Sequence, residues 1–169
     1  MSRAWWLSMW FSAETDPFQG LGGATWIAGE GPDPDRTSGD SRAAADAGTR
    51  AAAFVLTGTD GDDDLSGTEG NDIVRLRAGN DYFEGIGGAD WVHGGDGDDR
   101  LDIWGTDAAT LIGGAGNDTL LADGGDDLLI GGSGRDTLEG GRGNDVIYGG
   151  DGDDWAHGAE GDDRVYLGA

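Results

Sequence analysis

The stretch that decides the fold runs from 113 to 121 and reads Gly-Gly-Ala-Gly-Asn-Asp-Thr-Leu-Leu. The same pattern returns at 140–148 as Gly-Gly-Arg-Gly-Asn-Asp-Val-Ile-Tyr. Working outward from these copies, eleven units of nine residues begin at Gly58, Gly67, Leu76, Gly85, Gly94, Gly113, Ala122, Gly131, Gly140, Gly149 and Gly158. This period predicts an all-β fold, a parallel β-solenoid in which each unit forms half a coil.

Three positions of the unit indicate how each half-coil is built. Position 4 is always glycine, which suits a tight turn with a positive φ, and position 5 is Asn or Asp in nine units, which tolerate the same region. Position 8 is apolar in all eleven units: Leu65, Val74, Phe83, Val92, Leu101, Leu120, Leu129, Leu138, Ile147, Ala156 and Val165. Side chains alternate along a strand, so position 8 is predicted to face inward from a three-residue strand at positions 7 to 9. Positions 1 to 6 are then the turn.

Position 6 carries the chemistry. It is aspartate in every unit: Asp63, Asp72, Asp81, Asp90, Asp99, Asp118, Asp127, Asp136, Asp145, Asp154 and Asp163. One buried side chain per unit contributes roughly 1.5–3 kcal/mol, whereas ordering nine residues costs roughly 1–2 kcal/mol for each. Stacked rows of ionised aspartates also repel one another unless a cation lies between them. Hard oxygen ligands favour several Ca²⁺ ions over Zn²⁺ or copper.

The units resemble the RTX (haemolysin-type) calcium-binding nonapeptide repeat, Gly-Gly-x-Gly-x-Asp-x-apolar-x, over residues 58–166. The resemblance implies a right-handed parallel β-roll with Ca²⁺ held between successive turns on each edge. It also implies that the eleven position-6 aspartates named above and turn carbonyls are the metal ligands. RTX segments belong to bacterial exoproteins that leave by type I secretion and fold on meeting extracellular calcium, so a secreted module is expected.

Several units depart from the pattern. The first glycine is replaced by Leu76 and Ala122, and the second glycine is replaced at six places, where weaker calcium sites are expected: Thr59, Thr68, Arg77, Ile86, Asp123 and Ala159. Residues 103–112 are predicted to be a degenerate half-coil with a one-residue insertion. It keeps a strand at 110–112 but has Ala109 at the aspartate position, so no calcium is expected there.

The chain divides near Phe54. Residues 54–169 are predicted to form the β-roll, with a first strand at 54–57, and residues 1–53 a largely irregular leader or cap. The leader contains an aromatic run at 5–11, an extended linker at 32–35 and a stretch at 20–28 that resembles a relic repeat. The apolar stretch at 5–13 also suits a weak signal peptide, and the aromatic run at 5–11 suits a segment that docks onto another surface.

Composition excludes several classes of partner and activity. The formal net charge of −24 argues against nucleic acids and anionic membranes, and no apolar run is long enough for a membrane span. The chain has no cysteine, so no disulfide can stabilise the fold, and a bound metal is the remaining route to extra stability. No HExxH motif, P-loop or nucleophile elbow occurs, and no catalytic residue is assigned. His93 and His157 are expected on opposite sheets, as surface residues and not as a pair.

One sheet is predicted to display an apolar face for a partner domain or a second copy: Ile73, Trp91, Leu128, Ile130, Val146, Tyr148 and Tyr166. Ordinary β-propensity on a solvated sheet explains the same residues. The leading interpretation is a non-catalytic secreted calcium-binding module. The alternatives are an accessory module of an exoenzyme (a protease, lipase or alginate epimerase) and a calcium-dependent adhesin segment.

Overall fold

A computed structural model describes residues 53–169, and every regular element in that range is a β-strand. The predicted leader, its linker, its aromatic run and its relic repeat lie outside the described residues. Thirteen strands follow in chain order: β1 Val55–Thr57, β2 Asp64–Ser66, β3 Ile73–Ala78, β4 Tyr82–Gly85, β5 Trp91–Asp96, β6 Arg100–Ile103, β7 Thr110–Ala115, β8 Thr119–Leu121, β9 Leu128–Ser133, β10 Thr137–Arg142, β11 Val146–Asp151, β12 Trp155–Glu160 and β13 Arg164–Gly168.

The strands form two parallel sheets. The odd sheet has the order β1-β3-β5-β7-β9-β11-β13, and the even sheet has the order β12-β10-β8-β6-β4-β2. Because consecutive strands alternate between the sheets, each nine-residue unit is half a coil and two units complete a turn. The predicted parallel β-solenoid is confirmed, as is the first strand next to Phe54.

The register follows the repeat. Neighbouring strands of a sheet are offset by two units, so Ile73 pairs with Trp91. The offset grows by one residue at the degenerate half-coil, where Trp91 pairs with Thr110. Residues 103–112 therefore supply a true strand, β7, with one extra residue in the turn before it, as predicted.

Most strands are longer than predicted. The expected three-residue strand is seen at β2 and β8, but β10 runs for six residues from Thr137 to Arg142. Pairing continues into the glycines at the start of the next unit, for example between Gly132 and Gly150. The prediction that positions 1 to 6 are all turn was wrong, because glycine backbones stack closely enough to extend the parallel ladder.

The core is a single column of position-8 side chains between the sheets. From Leu65 to Ile147 these side chains are buried, while Ala156 is half-buried and Val165 is 41% exposed because no further coil covers it. Sequence analysis missed a second set of core residues at position 1. Leu76, Ile103 and Ala122, which replace the first glycine, point inward and are buried.

Candidate metal centre

The position-6 aspartates form two rows, one along each edge of the solenoid. Each aspartate immediately precedes a strand, so the row is set by which sheet that strand joins. Along the first edge, which leads into the even sheet, lie Asp63, Asp81, Asp99, Asp118, Asp136 and Asp154. Along the second edge lie Asp72, Asp90, Asp127, Asp145 and Asp163, with Ala109 filling the gap between Asp90 and Asp127.

In the position-6 aspartates from Asp72 to Asp163, Oδ1 accepts a backbone N–H of the preceding coil. The N–H of Asp81 donates to Oδ1 of Asp99 at 2.9 Å, and the N–H of Asp118 donates to Oδ1 of Asp136 at 2.8 Å. The degenerate half-coil takes part as a donor only, through the N–H of Ala109 to Oδ1 of Asp127 at 2.6 Å. These bonds link residues one whole coil apart and orient ten of the eleven carboxylates in the same way, Asp63 being the exception.

The other oxygen has no partner in most of these residues. Oδ2 is buried and without a hydrogen bond in eight aspartates: Asp81, Asp90, Asp99, Asp118, Asp127, Asp136, Asp145 and Asp154. A buried carboxylate oxygen without a donor or a cation is costly. The repetition of this arrangement along both edges indicates a feature of the repeat and not an isolated packing defect.

Along the first edge, backbone carbonyls lie beside the same Oδ2 atoms. Along the second edge, no carbonyl is among the atoms nearest to a Cβ built on Gly67, Gly85, Gly140 or Gly158. A Cβ added to Gly113 would meet Oδ2 of Asp118 and would lie 2.7 Å from the carbonyl oxygen of Gly131 in the next coil. Gly149 repeats the arrangement with Oδ2 of Asp154 and the carbonyl oxygen of Leu167. At these two glycines the first position of the unit leaves a space, and the polar atoms nearest to that space are all oxygens. Oxygen atoms are the ligands that Ca²⁺ prefers.

Side chains alone do not make these sites. Within residues 53–169 no three His, Cys, Asp or Glu side chains gather closely enough to hold a metal ion. Any ion at the edges must therefore take part of its coordination from backbone carbonyls. This is the mixture of ligands that the sequence predicts.

Burial makes the carboxylates weak acids when no ion is present. It raises the pKa of Asp90 and of Asp99 to about 7, with neighbouring carboxylates adding to the rise and backbone N–H donors opposing it. Burial likewise raises the pKa of Asp81, Asp118 and Asp127 to about 6. Bringing these groups together as anions therefore costs free energy that a bound cation would offset.

Position 5 has a role that sequence analysis missed. Its side-chain oxygens accept backbone N–H groups from position 5 of the next coil, as in Asp98 N–H to Oδ1 of Asn80 at 2.9 Å and Arg135 N–H to Oδ1 of Asn117 at 3.0 Å. No position-5 residue has a positive φ, so the explanation by left-handed backbone was wrong. The signal was present in the sequence, because a carbonyl or carboxylate oxygen recurs there in nine units.

The glycine positions are confirmed with exceptions. Position 4 has a positive φ in nine units, but not at Gly61 or Gly70. At position 2, two substitutions keep the glycine conformation, Arg77 with φ of 89° and Ala159 with φ of 77°. The other replacements of the second glycine leave the left-handed region, so those turns change shape instead of carrying the strain.

The two histidines lie on opposite sheets, as predicted. His93 is in β5 of the odd sheet and stacks on Trp91 with ring centroids 6.1 Å apart. His157 is exposed in β12 of the even sheet. They do not form a common site.

Comparison with protein families agrees with this geometry. The family model for the RTX calcium-binding nonapeptide repeat matches four segments, 57–85, 78–102, 104–138 and 130–165, which together span more than half of the chain. The chain belongs to this family. RTX repeats bind multiple Ca²⁺ ions, and the chain is accordingly an RTX-type calcium-binding module. No curated protein and no solved structure matched the chain.

The part of the chain that the structure describes contains no helix long and apolar enough to cross a membrane. The RTX repeats account for nearly all of that part, from residue 57 to residue 165.

Proposed function

We propose that this chain is a secreted, non-catalytic RTX module that folds when it meets calcium outside the cell. The observation that carries the proposal is the set of eight buried Oδ2 atoms without a partner, repeated along both edges. A cation beside each of them would remove the cost of burying the charge. RTX repeat proteins are typically extracellular, which supports the secreted location.

The residues would act in two ways. Oδ1 of a position-6 aspartate accepts a backbone N–H from the preceding coil and so fixes the carboxylate, as Asp136 does for Asp118. Oδ2, joined along the first edge by a backbone carbonyl of the next coil, then faces the space where Ca²⁺ when bound supplies positive charge and a preference for several oxygen ligands. Nothing in this arrangement requires a reactive water or a proton transfer.

The net charge of −24 gives the module a folding switch. In low calcium the carboxylates repel one another and the column of single apolar side chains is too small to compensate. Millimolar extracellular calcium is sufficient for the weak sites that extracellular modules use, and binding then stabilises only the folded state. The chain would remain unfolded during export and fold after it.

Circular dichroism with added CaCl₂ and then excess EDTA tests the proposal. We expect a β-rich spectrum with calcium, an unfolded spectrum after EDTA, and no comparable recovery with the same concentration of MgCl₂. A β-rich spectrum that is unchanged by the chelator at pH 7.5 would contradict it.

A second proposal concerns the outer face of the odd sheet, which we propose is the surface on which a second copy of the chain docks. Positions 7 and 9 of its seven strands carry no Asp or Glu, although the chain has 34 acidic residues. The same positions of the even sheet include Asp64, Glu84, Asp102 and Glu139. Two strongly anionic chains would therefore meet with least repulsion through the odd sheet.

The odd face is also self-complementary. Pairing across the sheet produces the column Arg75, His93, Ile112, Ile130, Tyr148 and Tyr166. A two-fold axis between β7 and β9 would place Ile112 against Ile130 of the second copy and Arg75 against its Tyr166, a cation over an aromatic ring. A face about 30 Å by 10 Å, from strand spacing and rise, is small for a stable dimer, so the association would be weak.

Light scattering over a range of protein concentrations in calcium tests the second proposal. The wild type should approach the dimer mass as concentration rises, and a variant with Leu128→Ser, Ile130→Thr and Tyr148→Ser should stay monomeric. Leu121→Thr on the even sheet is the control and should behave as the wild type. A wild type that is monomeric throughout, or a dimer that survives the triple substitution, would rule it out.

A further inference from the structure

The first turn on each edge differs from all later ones. Oδ2 of Asp63 accepts the backbone N–H of Thr59 at 2.5 Å, and Oδ2 of Asp72 accepts the backbone N–H of Thr68 at 2.6 Å. The threonine hydroxyls add to this, since Oγ1 of Thr68 lies 3.0 Å from Oδ1 and 3.2 Å from Oδ2 of Asp72. Both carboxylates are thus satisfied by donors four residues earlier in the chain.

The contrast with the later turns is internal to the protein. Thr59 and Thr68 occupy position 2, where the repeat favours glycine, and no other unit has threonine there. Asp63 and Asp72 are absent from the set of aspartates whose buried Oδ2 lacks a partner. Their turns also have a different backbone, because the position-4 glycines Gly61 and Gly70 are the only two without a positive φ.

The chemistry of a carboxylate explains why this matters for a cation. In the later turns from Asp81 to Asp154, Oδ2 is buried and has no donor, so a cation is attracted. In the first turns a backbone N–H donates to Oδ2, and a threonine hydroxyl lies within hydrogen-bond distance of the same carboxylate. The partial positive charge of the N–H stands where a cation would otherwise approach. The carbonyl oxygen of Leu76 still lies beside Oδ2 of Asp63, as in the regular turns of that edge. The N–H and O–H donors, and not a loss of oxygen atoms, therefore make these two turns a poor fit for Ca²⁺.

We propose that Thr59 and Thr68 take the place of calcium in the first turn of each edge. Asp63 and Asp72 then close the first described turn of each edge through these hydrogen bonds, and ion binding begins at Asp81 and Asp90. The inference rests on the proposed function, since it presupposes that later position-6 aspartates are ligands. It divides eleven aspartates that the repeat presents as equivalent into ion-binding and ion-free classes.

The test compares matched Asp→Asn variants of the full chain by equilibrium dialysis, which counts bound Ca²⁺, and by calcium titration of the circular dichroism. Asp63→Asn is paired with Asp118→Asn on the first edge, and Asp72→Asn with Asp127→Asn on the second. The first member of each pair should keep the wild-type ion number and a calcium midpoint within about twofold. The second member should lose at least one ion and shift the midpoint upward by about tenfold, the effect of losing a charged ligand.

A gain-of-binding variant keeps the inference testable if an Asn variant does not fold. Thr59→Gly combined with Thr68→Gly installs the residue found at position 2 of the regular turns and removes the hydroxyl donors, so the number of bound ions should rise. No rise in ion number, or loss of an ion in Asp63→Asn or Asp72→Asn, would overturn the inference. A wild type that binds no calcium would instead contradict the proposed function. The experiment therefore distinguishes a failure of this inference from a failure of the proposed function.

Discussion

At the scale of the residue, glycine at position 4 is not required for the same reasons in every unit. Gly134 has a φ of 129°, and a Cβ on it would run into the carbonyl oxygen of Gly116 in the coil before. Gly61 holds the same position of its unit, yet it has no positive φ and nothing lies within 4 Å of the place a Cβ would take. Only the first of these glycines is required by both backbone conformation and close approach.

We therefore expect Gly134→Ala to lower the free energy of unfolding by about 1–3 kcal/mol, as for other residues forced into a glycine-only conformation. Gly61→Ala is the control and should be neutral or stabilise by roughly 0.4–1 kcal/mol, because it reduces the entropy of the unfolded chain. Urea denaturation at saturating calcium measures both. Equal losses in the two variants would contradict this account of the turns.

At the scale of the element, the place of a strand in the stack decides what its core residue contributes. Leu129 in β9 is fully buried, with β7 and β11 paired on either side. Val165 in β13 occupies the same position of the repeat but is 41% exposed, since β13 is the last strand of the odd sheet. The repeat assigns both residues inward, but only neighbours on both sides exclude water.

Leu129→Ala should destabilise the calcium-loaded protein by about 2–5 kcal/mol, the usual cost of truncating a fully buried leucine. Val165→Ala should cost less than about 1 kcal/mol, because much of that side chain is already in water. The difference is measured by urea denaturation followed at a strand-sensitive wavelength. Similar losses for the two variants would mean that another surface covers β13 in solution.

At the scale of the whole molecule, we expect protons and calcium to compete for the same buried carboxylates. The unfolded chain has ordinary aspartate pKa values near 4, whereas burial raises the pKa of Asp90 and Asp99 to about 7 and of Asp81, Asp118 and Asp127 to about 6. Between these values the folded state binds more protons than the unfolded state. The free energy of unfolding without calcium must then fall as the pH rises.

In metal-free buffer we expect more β-structure at about pH 5 than at about pH 8, with the loss centred between pH 6 and 7, where the folded carboxylates ionise. Calcium affinity should change in the opposite direction and weaken as the pH falls through the same range. Circular dichroism in buffer stripped of metals, with centrifugation to remove any aggregate near the isoelectric point, checks both. A calcium-free fold that is more stable at pH 8 would show that the carboxylates are not protonated on folding.

The nine-residue period by itself determined the parallel solenoid and the inward position-8 side chains from Leu65 to Ile147. It also predicts cations beside the aspartate rows, which stays a prediction. These depend on local alternation and on charge, which the residues of one unit already specify. The degenerate half-coil was also readable, because residues 103–112 are one residue longer than a unit and Ala109 stands at the aspartate position.

Only the tertiary structure decided which carboxylate oxygens lack a partner, why Asn and Asp recur at position 5, and that Leu76 and Ala122 fill the core. The physical reason is distance along the chain. The hydrogen bonds that fix Asp136 and Asn80 join residues 18 positions apart. Their partners come from the stacking of coils, so a unit read alone does not contain them.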